Sequence, residues 1–503
     1  MKNELKEKEV LAMYDVRGIQ NYIFKSNAAK EIIGASALID GIIVKGLQKY
    51  LSEKVNDEER KYYMTDWKQD EVEKFQQDQK IQMQVMFVGG GNAYVLYRKG
   101  EICQRVNRFL AKYILDATYS LNLAVAVVEK SDSYADDYRN INLEMQRVKA
   151  EMSLAQPMGA FPFMAVDSIT GYPISVYDPK ENKYFCTEAK KKRDAFPKNE
   201  SEQIFDKMVT EKGADSMLAV CHIDGNSMGI HIREKIEGIC DYGEAMKRMR
   251  EISKEISDTF RSVFDGMAAF MDELSAKVRK DSKNKLYREI IVAGDDITFV
   301  CNAKLAIPAV KYFLEHIGDE KDYSACGGIA YFNSHFPFSD AYQVAEACCS
   351  MAKKRAKNKE RRGKNESVGN FFDFQICTNI RAAHLENYRE KHYRSEKGMF
   401  ILRPYYVPTK GAKNEINEKN EDYSVEKLEE WSKIFKGMSR SRAKMLRNSM
   451  WAEHKRDEAV SFLASRGYQE LENRKTEYPV WYDALEIMDL YIGGDEHNRI
   501  IKV

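Results

Sequence analysis

The order of predicted elements repeats along the chain, and this repeat constrains the fold more than any other feature. Apolar runs, glycine-containing turns and helical spacing predict strand, helix, hairpin, helix and strand, and the same order follows again in the second half. Asp15 precedes Gly91 of the first hairpin turn by 76 residues, and Asp224 precedes Asp295 of the second turn by 71. The repeat predicts an α+β chain with two ferredoxin-like palm folds in tandem.

The segments between and after the repeats suggest the domain boundaries. The stretch between them contains Pro162, Gly171 and Pro173, and about the last 75 residues show helical apolar spacing. Within the first palm, residues from Gly18 to about Tyr50 are predicted to form one helix. We expect a first palm over 1–155, an inter-palm segment over 156–205, a second palm over 206–405 and a helical C-terminal domain over 406–503.

Composition narrows the class of protein. The 503 residues carry 79 basic and 78 acidic side chains, a net charge of +1, which argues against a general nucleic-acid coat but allows a local basic site. No apolar run approaches the roughly 20 residues of a membrane span, and the charged opening does not resemble a signal peptide. Nine scattered cysteines without a C-x-x-C pair are typical of a reducing compartment. We therefore expect a cytoplasmic protein without membrane contact.

Two adjacent aspartates, Asp295 and Asp296, interrupt an apolar run rich in β-branched residues. Burying such carboxylates costs several kcal/mol each unless positive charge is present. In a palm, the end of the first strand lies beside this hairpin, so Asp224 is expected next to the pair. Two Mg²⁺ or Mn²⁺ ions about 4 Å apart would offset these three carboxylates and bind a nucleotide triphosphate. The alternative is a structural turn with an N-cap.

A glycine-containing turn follows Asp224 and enters a predicted helix. Backbone N–H groups in such a turn can bind phosphates. The candidate phosphate-binding residues are Gly225, Asn226, Ser227 and Gly229. Lys353 and Lys354, on a later helix, could add positive charge, although a solvated helix end would show the same lysines.

The first hairpin lacks the acids of the second. Its turn reads Gly89-Gly90-Gly91-Asn92, and Asp15 is the one acid that remains at the equivalent positions. We expect this palm to be catalytically silent and to present a second nucleotide, with Gly90 and Gly91 lining the pocket because glycine allows a close backbone approach. One chain would then supply the two substrates that diguanylate cyclases bring together with two chains.

Several motifs together resemble the large polymerase/cyclase subunit of type III CRISPR effector complexes, a two-palm, GGDEF-like family. "DVRGIQNYIFKSNAAKEIIGASALID" and "VGGGNAYVLY" are similar to its first-palm motifs. "HIDGNSMG", "AGDDITFV" and "GGIAYFNSHFPFSDAYQVAEACCSMAKKRAK" are similar to its second palm. The resemblance covers about residues 10–400, and the motifs are specific as a set.

The resemblance implies an enzyme that joins ATP into cyclic oligoadenylates in antiviral defence. It implies that Asp224, Asp295 and Asp296 form the metal site and that Gly294 keeps the tight turn, while Ala293 replaces the family's first glycine. The partners it implies are ATP, other type III subunits and target or guide RNA, and the sequence leaves a monomer or a homodimer open.

Departures from the family keep two other functions open. No His-Asp dipeptide occurs in the chain, so the family's HD nuclease is not expected, and Cys186 is the one cysteine in the inter-palm segment, so no zinc is expected. One alternative is a structural, RNA-binding CRISPR subunit with little or no synthesis, which the basic stretches "KKRDAFPK" and "SRSRAKMLR" could serve. The other is a stand-alone defence cyclase that makes another cyclic nucleotide without guide RNA.

Overall fold

The structure is a computed structural model, and it describes residues 5–69, 71–153, 159–198, 204–210, 216–279, 285–318, 323–357, 369–378, 382–396, 398–409 and 420–492. Its strands are β1 (Val10–Arg17), β2 (Tyr63–Met64), β3 (Met83–Gly89), β4 (Asn92–Tyr97), β5 (Asn122–Glu129), β6 (Ile174–Asp178), β7 (Lys183–Cys186), β8 (Met217–Gly225), β9 (Tyr287–Ala293), β10 (Asp296–Asn302), β11 (Ala325–Asn333), β12 (Asn370–Ile376), β13 (Arg394–Ser395), β14 (Gly398–Met399) and β15 (Tyr405–Val407).

The α-helices alternate with these strands and then fill the C-terminal part of the chain. They are α1 (Ile19–Phe24), α2 (Ala29–Ile39), α3 (Ile42–Lys54), α4 (Lys74–Gln77), α5 (Gly100–Thr118), α6 (Tyr134–Glu151), α7 (Thr187–Asp194), α8 (Ile204–Met208), α9 (Met228–Ile236), α10 (Tyr242–Val278), α11 (Ala306–His316), α12 (Phe338–Ala356), α13 (Leu385–His392), α14 (Val425–Lys436), α15 (Arg440–Ser449), α16 (Glu453–Ala464), α17 (Gln469–Asn473) and α18 (Tyr478–Glu486).

The first palm is built on a five-stranded sheet in the order β2-β3-β4-β1-β5. β1 pairs antiparallel with both β4 and β5, and its residues from Val10 to Tyr14 are buried. A central strand covered by helices needs apolar residues on both faces, and "VLAMY" supplies them. The core order hairpin–first strand–last strand is that of a ferredoxin-like fold.

The second palm repeats this core within a six-stranded sheet in the order β15-β12-β11-β8-β10-β9. β8 is its central strand and pairs antiparallel with β10 and β11. Two further strands extend the sheet beyond β11, because β12 adds parallel to β11 and β15 adds antiparallel to β12. The predicted fold class, tandem palms followed by C-terminal helices, is confirmed.

The first palm differs from the prediction between Gly18 and Tyr50. The single predicted helix is three helices, α1, α2 and α3. The chain leaves helical geometry at Ala28, whose φ and ψ are −92° and 121°, and at Gly41, whose φ is +62°. The left-handed conformation at Gly41 carries no steric penalty for glycine, so apolar spacing continues across a break that periodicity alone does not reveal.

The chain divides into two compact units, Met1–Glu202 with Ser227–Asp258, and Gln203–Asn226 with Thr259–Val503. The boundaries between the four predicted domains stay a prediction. Among the described residues, none of the helices combines the length and apolarity needed to span a membrane.

Candidate functional site

The three predicted acids lie at the same edge of the second palm sheet. Asp224, near the end of β8, is the direct cross-strand partner of Asp296, the first residue of β10. Gly294 and Asp295 form the two-residue turn, and Gly294 has a φ of +63°, which glycine adopts without strain. The Gly225 N–H donates to the Asp295 carbonyl at 3.2 Å, which ties the turn to the end of β8.

The carboxylate in the turn, Asp295, has a strongly shifted pKa. Burial, followed by repulsion from Asp224 and Asp296, raises the pKa of Asp295 from 3.8 to about 6, against the opposing effects of a backbone hydrogen bond and of Lys353. A raised pKa means that the ionised form is destabilised where it sits. The site therefore carries an excess of negative charge that a cation would offset.

Lys353 offsets part of this charge from α12. Its Nζ lies 2.5 Å from Asp224 Oδ2 and donates to the Gly225 carbonyl at 3.1 Å. Burial lowers the pKa of Lys353, but attraction to Asp224 outweighs it and leaves the pKa above its ordinary value. The next lysine, Lys354, instead pairs with the exposed Glu386 at 2.5 Å, as a solvated helix end would.

The three aspartates provide the type of ligand atom that a hard divalent cation prefers. All three side chains offer carboxylate oxygens, the ligands that Mg²⁺ and Mn²⁺ prefer. Over the described ranges, however, no three His, Cys, Asp or Glu side chains converge closely enough to hold an ion by themselves. Asp224, Asp295 and Asp296 would hold a metal here only with further oxygens, such as those of nucleotide phosphates.

Two backbone N–H groups of the predicted phosphate-binding turn donate hydrogen bonds within the protein. The Asn226 N–H donates to the Ser324 carbonyl at 2.8 Å, and its side-chain amide donates to Ser324 Oγ at 3.2 Å. The Gly225 N–H is taken by Asp295. In this structure Gly225 and Asn226 therefore brace the turn, and neither backbone N–H is offered to a phosphate as the sequence suggested.

The remaining two predicted phosphate-binding residues, Ser227 and Gly229, lie at the N-terminus of α9. Ser227 occupies the N-cap position with a φ of +58° and makes no side-chain capping hydrogen bond. The Ile230 and His231 N–H groups donate to the Ser227 carbonyl at 2.9 and 3.1 Å. The N–H groups of the first two helical residues, which include Gly229, have no acceptor within the helix and lie at its positive dipole end. A role of Ser227 and Gly229 in phosphate binding stays a prediction.

The silent hairpin has the same register as the acidic one. Asn92 lies opposite Asp15, as Asp296 lies opposite Asp224, and Gly90 has a φ of +57°, matching Gly294. Gly91 takes the place of Asp295.

The two glycines of the silent turn differ in what surrounds them. A Cβ on Gly91 would lie 2.2 Å from Ile19 Cδ1, whereas a Cβ on Gly90 would meet nothing within 4 Å. A larger residue at Gly91 therefore cannot test ligand binding on its own, because it would first displace Ile19. Gly90 is the position that can report on a ligand.

Each palm contains an ion pair between an aspartate and a lysine at equivalent positions. Sequence analysis did not predict this pair. Asp15 forms an ion pair with Lys149 of α6, as Asp224 does with Lys353 of α12. Each lysine stands 15 residues after the first residue of its helix. Equal spacing from the helix start is the signal that could have revealed the pair.

Comparison with known proteins supports the palm assignment. Residues 217–365 match the family described as Cas10/Cmr2, second palm domain. The chain carries a Cas10-like second palm. None of the curated proteins gives a significant match. The predicted resemblance to the large subunit of type III CRISPR effectors is confirmed.

Several solved structures are similar to this chain, and one of them reaches a TM-score above 0.5. A Csm1–Csm4 cassette in complex with pppApApA matches with a TM-score of 0.51 at 12% identity, covering 96% of this chain and 69% of that chain. A Csm1–Csm4 cassette with cA4 gives 0.49 at 13% identity, covering 96% and 70%. A Csm1–Csm4 subcomplex of the type III-A CRISPR–Csm interference complex gives 0.48 at 12%, covering 97% and 71%. At these identities the first match supports the fold alone.

Proposed function

We propose that the chain is a nucleotidyltransferase that joins ATP into cyclic oligoadenylate, or a related cyclic oligonucleotide, as a subunit of a type III CRISPR effector. The observation that carries this proposal is that Asp224, Asp295 and Asp296 lie at one edge of the second palm sheet, with Asp224 opposite Asp296 and the pKa of Asp295 raised to about 6. A purely structural turn would gain nothing from that arrangement. The Cas10-like palm and the ATP-derived ligands named in the matched Csm1–Csm4 structures support it.

In the proposed reaction the 3′-hydroxyl of one ATP attacks the α-phosphate of a second ATP. A new phosphodiester bond forms, the bond to the β-phosphate breaks, and pyrophosphate leaves. Bound Mg²⁺ or Mn²⁺ would supply activation of the hydroxyl and neutralisation of the phosphoryl oxygens. Asp224, Asp295 and Asp296 would hold it, Lys353 would add positive charge beside Asp224, and no side chain is assigned as general base.

A structural, RNA-binding subunit remains the second candidate, because Lys353 alone could neutralise Asp224. The 2.5 Å ion pair and the lack of a preformed three-ligand group among the described residues both favour it. Under this candidate the acids would be compensated within the protein and would need no metal. Metal binding therefore separates the two candidates.

Product analysis tests the proposal directly. The purified full-length chain, alone and with its effector partners, is incubated with each NTP and Mg²⁺ or Mn²⁺, and products are read by mass spectrometry. We expect cyclic products from ATP and none from the variant carrying Asp295→Ala and Asp296→Ala. Equal synthesis by this variant, or no synthesis in any mixture, would reject the proposal.

A further inference from the structure

The sheet face beside Asp296 carries a buried polar pair that the proposed function does not use. His222 on β8 and Thr298 on β10 are direct cross-strand partners, and both side chains are buried. His222 Nδ1 lies 3.2 Å from Thr298 Oγ1 and 3.5 Å from Asp296 Oδ1. Because side chains alternate along a strand, Thr298 and Asp296 share one face of β10. The imidazole is thus next to the acid, one step inward from the sheet edge.

Helix α12 covers this face and fixes the imidazole ring. The Tyr342 ring contacts His222 edge to face, with centroids 5.8 Å apart and an interplanar angle of 77°. Gly328 lies opposite His222 on β11, and a Cβ there would be 1.9 Å from the Ala345 carbonyl oxygen. The helix backbone therefore lies directly on the strand, and the ring has little room to turn.

The silent palm provides an internal comparison. Its residues equivalent to His222 and Thr298 are Met13 and Tyr94, which are direct cross-strand partners in the same register. Its residue equivalent to Asp296 is Asn92. The polar pair is present in the palm that has the acids and absent from the palm that lacks them. A pair needed only to hold a palm sheet together would not follow the acids in this way.

We propose that His222, itself oriented by Thr298, is a positioning residue that holds the Asp296 carboxylate in the orientation in which it ligates a divalent cation. The proposal rests on the proposed function, in which Asp296 is a metal ligand. Outer partners of ligating groups restrict their rotation, and removing one typically weakens metal binding by about 10–100-fold. A role limited to sheet stability would instead change the unfolding midpoint and leave metal affinity unchanged.

The test measures Mn²⁺ affinity of the full chain by electron paramagnetic resonance, with a non-hydrolysable α,β-methylene ATP analogue present. His222→Met introduces the residue of the silent palm, and we expect Mn²⁺ affinity to fall by about 10–100-fold. Thr298→Val, which removes only the hydroxyl, should weaken binding less, and Thr298→Ser should restore it. Met13→Leu, at the matched strand position, should leave Mn²⁺ affinity unchanged.

A double-mutant cycle identifies the route of the effect. If His222 acts through Asp296, His222→Met should cause no further loss of Mn²⁺ affinity in an Asp296→Asn background. Thermal unfolding checks that each variant folds, and Thr298→Val decides the question if His222→Met does not fold.

The outcomes separate this proposal from the proposed function. Unchanged Mn²⁺ affinity in His222→Met or Thr298→Val, or an additive loss with Asp296→Asn, would overturn the positioning role. Mn²⁺ affinity that does not depend on Asp296 would overturn both. Mn²⁺ binding that is sensitive to His222, in a chain that makes no product from any NTP, would support the positioning role and reject only synthesis.

Discussion

At the scale of single residues, the acidic turn is a site where stability is given up. Asp295 is the clearest case, because burial and two neighbouring carboxylates together raise its pKa from 3.8 to about 6. Proteins tolerate such a group where a ligand compensates it or where its chemistry is needed. The acid was recognisable from the sequence because Asp295 and Asp296 break an apolar strand pattern. Its degree of burial was not, since that depends on the packing around the turn.

Replacing Asp295 with asparagine should stabilise the metal-free protein in a pH-dependent way. The carboxyl is protonated in both the folded and the unfolded state well below pH 3.8. Its destabilising effect grows as pH rises from there to about 6, where the unfolded state is ionised and the folded state is only partly ionised. Above pH 6, Asp295→Asn should therefore be more stable than wild type by about 2–3 kcal/mol. Denaturant unfolding with EDTA at pH 4.5 and pH 8 checks this.

The control for that experiment repeats the unfolding measurement with bound ligand. Adding Mg²⁺ and the ATP analogue at pH 8 should stabilise wild type and leave Asp295→Asn unchanged. A stability difference that is the same at both pH values would contradict the assigned pKa.

At the scale of elements, helix α12 provides a lysine that can be tested against its neighbour. Lys353→Met removes the cation 2.5 Å from Asp224, whereas Lys354→Met removes an equal charge that is paired with exposed Glu386. We expect the affinity for the ATP analogue to fall by about tenfold, or about 1.4 kcal/mol, for Lys353→Met and to stay constant for Lys354→Met. Isothermal titration calorimetry measures both, and equal losses would mean that only overall charge matters.

The two hairpins form a second matched pair. Gly90 and Gly294 have φ values of +57° and +63°, and a Cβ on either meets nothing within 4 Å. Alanine at either position should therefore cost a similar strain of about 1 kcal/mol. We expect Gly294→Ala to weaken Mn²⁺ affinity, because it strains the turn that carries Asp295, and Gly90→Ala, which strains a turn without acids, to leave Mn²⁺ affinity unchanged. Equal Mn²⁺ affinity in the two variants would show that the turn at Gly294 does not position the metal-binding acids.

Strands and hairpins of both palms were predictable because their signals are local. An apolar run bounded by a glycine turn, such as the one ending at Gly89, fixes the hairpin and its register next to the turn. The register shift between Val85 and Phe87, further along the strand, has no such local signal. The break at Gly41 and the bracing role of Asn226 were not predictable. The first depends on one residue's backbone conformation, and the second depends on Ser324, which is almost a hundred residues away.

At the scale of the whole molecule, the inter-palm segment contains a buried thiol and is fixed to the first palm by a buried ion pair. Cys186 is buried at the start of α7, where its thiol accepts from the Ala189 N–H at 3.4 Å. Beside it, Lys192 and Glu188 form an ion pair of 2.7 Å with both side chains 1% exposed. Lys192 Nζ also donates to the Tyr22 carbonyl at 2.6 Å, which ties α7 to the helices of the first palm.

A double-mutant cycle on this buried pair measures how much the pair contributes to the free energy of unfolding. Burial lowers the pKa of Lys192 although Glu188 opposes the shift, so the pair depends on its mutual charge compensation. Lys192→Met or Glu188→Leu alone leaves one buried charge without its partner and should lower the free energy of unfolding by about 3–5 kcal/mol. The double variant replaces both charges with apolar groups and should lose much less stability than the sum of the single variants.

A zinc chelator should leave the unfolding midpoint of wild type unchanged, and elemental analysis should find no stoichiometric zinc. A midpoint that falls with chelator, together with additive single-variant losses, would show that metal and not this ion pair holds the segment.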